Sequence, residues 1–78
     1  MTQQITKWLF NWFESRVPRF ELKADENYID KGVIDSFGII ELVEAIETQF
    51  SIRLDQNDLQ SLELFSVAGL AAIIARKK

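Results

Sequence analysis

No cysteine and no histidine occur among the 78 residues. Their absence excludes disulfides, thiolate metal sites, cysteine nucleophiles and imidazole bases from the chain's own chemistry. It leaves the redox compartment open, although small secreted domains more often carry disulfides. Glycine and proline are scarce, with three of the first and one of the second. Apolar residues recur at three and four with little alternation, which predicts an all-α domain. Long apolar runs are missing as well. The cluster Trp8-Leu9-Phe10-Asn11-Trp12-Phe13 is too short and too interrupted for a membrane span, and no small-residue cleavage site follows it. The expectation is a soluble, cytoplasmic protein without stable membrane insertion. Charge of one sign is also in short supply, with nine basic and twelve acidic side chains for a net charge of −3. The basic residues are scattered apart from Arg76-Lys77-Lys78, so no nucleic-acid footprint is visible and basic partner surfaces are favoured.

What is present reads as one domain over residues 1–78, a monomer with a small core, since a chain of this size buries only about 60–65% of its unfolded surface. The spacing Ile5, Trp8, Leu9, Trp12, Phe13 predicts a first helix from Thr2 to Arg16, stopped by Pro18. Trp8 and Trp12 supply bulk to the core on this reading; a wall for a bound acyl chain or a membrane-surface contact are the alternatives. Arg19 to Ile34 is a long connection, pegged down by Leu22, Tyr28, Ile29, Val33 and Ile34. Its acids Asp25, Glu26 and Asp30 read as solvated surface. Gly32 fits a turn of positive φ. Ile52 and Leu54 anchor a turn after the second helix. A short third helix, capped by Asn57 or Asp58, runs to Leu62 with Leu59 and Leu62 facing in. Ser66 caps a last helix with the buried stripe Val67, Leu70, Ala71 and Ile74, and Arg76, Lys77 and Lys78 sit at its negative end. The architecture expected is a bundle of three main helices plus one short helix, with a long first loop.

The stretch Gly32 to Phe50 organises the rest. At about 100° per residue, Ile39, Leu42, Val43, Ile46 and Phe50 fall on one arc of a helix that begins at Ser36 or Phe37. The opposite face combines Glu41, Glu44 and Glu47 with Phe37 and Ile40, a mixture of acid and exposed apolar points that suits docking; an ordinary charged helix face is the plainer reading. Asp35 and Ser36 stand where an N-cap belongs. Taken on the residues alone, Ser36 is a cap, or a hydroxyl displayed where free N–H groups and the helix dipole favour an anion. Gly38 costs up to about 1 kcal/mol of helix propensity relative to Ala. Either the bare position gives something room to approach Ser36, or it is a tolerated first-turn glycine.

Gly32-Val33-Ile34-Asp35-Ser36-Phe37, followed by the apolar and acidic helix, resembles the phosphopantetheine attachment site of the acyl carrier protein family. Phe50-Ser51-Ile52-Arg53-Leu54 and Phe65-Ser66-Val67 extend the resemblance over most of the chain. It implies that Ser36 carries 4'-phosphopantetheine donated from coenzyme A, and that Asp35 is the aspartate associated with the phosphopantetheinyl transferase and its magnesium ion. It further implies a non-catalytic carrier of acyl thioesters in fatty-acid, lipid or polyketide-type biosynthesis. The implied partners are acyl-loading and acyl-transfer or condensing enzymes, met through Phe37, Ile40, Glu41, Glu44 and Glu47. An aminoacyl or D-alanyl carrier and an unmodified helical adaptor are the alternatives. The chain departs from the family pattern at Phe37, Glu44 and Ser51, where Leu, an apolar residue and Gly are usual, and this points to a specialised bacterial type. The chain itself holds no complete catalytic set, because Ser36 has no base beside it in the sequence and no phosphate-cradling glycine loop is present.

Overall fold

The structure, a computed structural model, describes residues 2–17 and 21–77. Among these residues four α-helices follow one another as α1 (Thr2–Arg16), α2 (Ser36–Phe50), α3 (Gln56–Gln60) and α4 (Val67–Lys77), with a 3₁₀ turn at Leu62–Phe65 between the last two. The all-α bundle of three main helices and one short one is therefore the fold adopted. Pro18, read as the stop of α1, lies outside the described residues, as does Lys78; the last described step of that helix is a bond from the Val17 N–H to the Phe13 carbonyl at 2.8 Å.

The core forms because each long helix places its large apolar residues on one side. Ile5, Leu9 and Phe13 of α1 recur at every fourth position and are buried, as are Leu42 and Ile46 of α2 and Val67, Leu70, Ala71, Ile73 and Ile74 of α4. Trp8 and Trp12 are only half-buried and pack at the margin of this cluster, Trp8 edge-on to Phe50 with ring centroids 5.3 Å apart. α1 packs mainly on α4, and α4 also holds the 3₁₀ turn.

The long connection is tied into the core at its middle. Tyr28 is fully buried, and its hydroxyl donates to the Leu64 carbonyl. Its backbone N–H bonds the Phe65 carbonyl at 3.0 Å, while the Ala68 N–H reaches the Ala24 carbonyl at 2.8 Å. Burial holds the phenol well above the ordinary tyrosine pKa. Leu22, Ile29 and Ile34 pack against the core as expected, and Val33 is buried within it.

Two expectations fail between Asp55 and Leu62. The cap of α3 is Asp55, two or three residues earlier than the sequence suggested, because Asp55 and Asp58 form a reciprocal capping box: Asp55 Oδ1 accepts from the Asp58 N–H and Asp58 Oδ2 from the Asp55 N–H, both at 2.9 Å. With the helix starting earlier and ending at Gln60, Leu59 and Leu62 turn outward, 43% and 88% exposed, and Leu64 of the 3₁₀ turn takes the buried place. Ser66 does cap α4, its Oγ accepting from the Gly69 N–H at 3.0 Å. The basic end of α4 folds back on this segment: Arg76 grips the Glu63 carboxylate, and Lys77 bridges Asp55 and Asp58. The backbone bond from Asp58, with Lys77 beside it, holds Asp55 below the usual carboxylate range, and Arg76 does the same for Glu63.

Candidate functional site

The approach to α2 is built by turns that leave little freedom. Asn27 Oδ1 accepts from the N–H groups of Ile29 and Asp30, and the Lys31 and Gly32 N–H groups bond back to Asn27 and Ile29. Gly32 then takes φ of 71°, as the sequence predicted, and Val33 returns to the Tyr28 carbonyl at 3.0 Å. Asp35 is extended and caps α2, its Oδ1 accepting from the Gly38 N–H at 2.9 Å. The cap is thus Asp35, and Ser36 is the first helical residue.

Ser36 is exposed, and its hydroxyl takes no part in capping. The N–H groups of Ser36 and Phe37 make no hydrogen bond to the described residues. A displayed hydroxyl therefore stands beside two unsatisfied donors at the positive end of a helix of fifteen residues. The second oxygen of Asp35 is likewise without a partner among the described residues. Among those residues no group of three or more His, Cys, Asp or Glu is arranged to hold a metal ion.

Gly38 has a packing reason that the sequence does not show. A Cβ at that position would lie 2.7 Å from Cβ of Ile34, so the bare residue lets the loop pack directly on the helix. Gly69, which carries no motif in the sequence, is tighter still: its added Cβ would meet the Glu63 carbonyl oxygen at 2.0 Å. Only a glycine at a helix position three after a cap hinted at that close approach.

The outward face of α2 presents Phe37 and Ile40, 76% and 58% exposed. The three glutamates differ in their surroundings. Arg16 of α1 pairs with Glu41, and the Arg16 guanidinium lies 4.9 Å from the centre of the Trp12 ring. Glu47 Oε2 accepts from the Leu54 N–H at 2.9 Å and so fixes the turn after the helix. Glu44 is exposed and engages no cation among the described residues. No helix of the described residues is long and apolar enough to cross a membrane.

In comparison with known proteins, residues 14–74 match the family described as the phosphopantetheine attachment site. No curated protein and no solved structure matches the chain. The match runs from the last turn of α1 almost to the end of α4 and takes in every element around Ser36. The chain belongs to the phosphopantetheine attachment family, whose domains are carriers with covalently bound 4'-phosphopantetheine as the prosthetic group.

Proposed function

We propose that Ser36 is the attachment residue and that the chain carries acyl groups as thioesters between enzymes of fatty-acid, lipid or polyketide-type biosynthesis. The observation that carries this reading is the exposed Ser36 hydroxyl at the first position of α2, with the Ser36 and Phe37 N–H groups unpaired beside it. These residues fit the group: a phosphodiester on Ser36 meets free donors and the positive helix end. When bound, the arm supplies a terminal thiol that this cysteine-free chain otherwise lacks. Asp35 holds the helix start through one oxygen, and its second oxygen faces the task of meeting the magnesium ion of a phosphopantetheinyl transferase. Phe37, Ile40 and the acids of α2 form the surface for that transferase and for acyl-loading and acyl-transfer or condensing enzymes. Carboxylates around an apolar centre steer a basic partner and release it readily.

The test is the intact mass of the protein after incubation with coenzyme A, magnesium and a broad-specificity phosphopantetheinyl transferase. The wild type is expected to gain one phosphopantetheine and Ser36→Ala none. A folded wild type that stays unmodified while a control carrier is loaded would overturn the assignment and favour an unmodified adaptor.

A further inference from the structure

A cleft of about 330 Å³ opens beside Asp35 on the α1 side of α2, at the low end of the range of small-molecule sites. Trp12 and Arg16 line it from α1, Ile34 and Asp35 from the loop, and Gly38 and Glu41 from α2. At its edge Arg16 lies over the Trp12 ring and pairs with Glu41, so a donor and an acceptor stand side by side next to an aromatic ring. Gly38 and Ile34 meet closely in its wall, where the loop packs on the bare helix position.

We propose that this cleft is the resting site of the chain's own pantetheine arm and that Arg16 is the residue that positions it there. The inference rests on Ser36 as the attachment residue. The first support is the tether, because Ser36 directly follows a residue of the cleft wall and a tethered group samples such a site at high effective concentration. Reach is the second. The arm spans fourteen bonds from the serine oxygen to its sulfur, roughly 16 Å at the spacing of an extended backbone. Gly38 and Glu41 stand only about 3 and 8 Å along the helix axis from Ser36. Ser36 points to the other flank of α2 from Gly38, about 160° round the helix, so the arm crosses the N-terminal end of α2, over the free N–H groups, and has length to spare.

Chemistry is the third support. The arm alternates a dimethyl-substituted carbon and a hydroxyl with two amides. Ile34 and the Trp12 ring match its apolar part, while an amide needs one donor and one acceptor, which Arg16 and Glu41 offer together. The same pair links the resting site to docking. A partner cation drawn to Glu41 competes with Arg16, opens the mouth and frees the arm for delivery.

The test uses loaded protein, verified by intact mass. Because the chain has no cysteine, the thiol of the arm is the only thiol, and its rate of reaction with an aromatic disulfide reports how often the arm is free. An arm at rest for two-thirds of the time reacts about threefold slower than a free one. Arg16→Ala, an exposed position outside the core, is expected to raise the rate by that factor, and Arg16→Lys by less. The indole N–H resonance of Trp12 is expected to shift on loading in the wild type and to stay put in Ser36→Ala treated in the same way. Equal thiol rates in the loaded proteins with an unmoved Trp12 resonance would overturn the resting site and leave Ser36 as the attachment residue. Failure of the mass gain would instead remove both.

Discussion

Single residues decide where this backbone can and cannot change. Gly38→Ala improves helix propensity by up to about 1 kcal/mol. It nonetheless places a Cβ 2.7 Å from the β-branched carbon of Ile34, which cannot swing aside as a flexible chain end would. The expected outcome is a net loss of roughly 1–3 kcal/mol in denaturant unfolding, recovered in part when Ile34→Ala is added. Ser51 shows the opposite case. It closes α2 in the left-handed region at φ of 56°, with its N–H on the Glu47 carbonyl, in an exposed place. A non-glycine residue there is strained by about 1–2 kcal/mol, part of which a glycine returns as entropy of the unfolded chain. Ser51→Gly is expected to raise the denaturation midpoint by an amount worth up to about 1 kcal/mol, and a lowered midpoint would contradict this account of the cap. In the sequence this serine stands where the family pattern has glycine. Its backbone angle supplies the reason why glycine is usual.

At the level of elements, the connection before α2 behaves as a part of the core. Tyr28 is its anchor, and removing the hydroxyl leaves the Leu64 carbonyl without its donor. Tyr28→Phe is expected to cost about 1–3 kcal/mol at neutral pH. The alkaline side gives a sharper readout, since this is the only tyrosine in the chain. Burial raises the phenol pKa in the folded state, so on raising the pH the unfolded chain loses its proton first. The stability tied to that proton is complete below about pH 10 and drains away as pH rises beyond it. Wild-type stability should therefore fall more steeply above that pH than that of Tyr28→Phe; parallel curves would refute the linkage. Elements with a clear period were legible in the sequence: α1 and the core stripes of α2 and α4 follow from apolar spacing, and Gly32, Asp35 and Ser66 from turn and cap chemistry. The segment from Asp55 to Leu62 was not. Asp55, Asn57 and Asp58 are all competent caps, and only the reciprocal bonds of Asp55 with Asp58, with Lys77 folded onto both, decide between them. That contact joins positions far apart in the chain and leaves no local periodic trace.

For the whole molecule, the question is how a weakly charged carrier is recognised. The sequence treats Glu41, Glu44 and Glu47 as one acidic face, but the fold gives Glu41 to Arg16 and Glu47 to the Leu54 N–H. Glu44, beside Ile40 and Phe37, is the one of the three that meets a basic partner without first giving up a bond among the described residues. Glu44→Lys should weaken association with the transferase several-fold at low salt, as a raised KM with the fold intact, and the gap from wild type should narrow as salt is added. Equal KM values at low salt would remove Glu44 from the docking surface. The loop tied down at Tyr28 has one more consequence, in time. Its anchors are the carbonyls of Leu64 and Phe65 and the N–H of Ala68, more than thirty residues downstream of Tyr28. During synthesis Ser36 emerges from the ribosome before those anchors do, and the turn leading to it then has nothing to close against. Ordered presentation of the serine waits for the chain to emerge past Ala68, so on the proposed function a transferase would meet a finished fold.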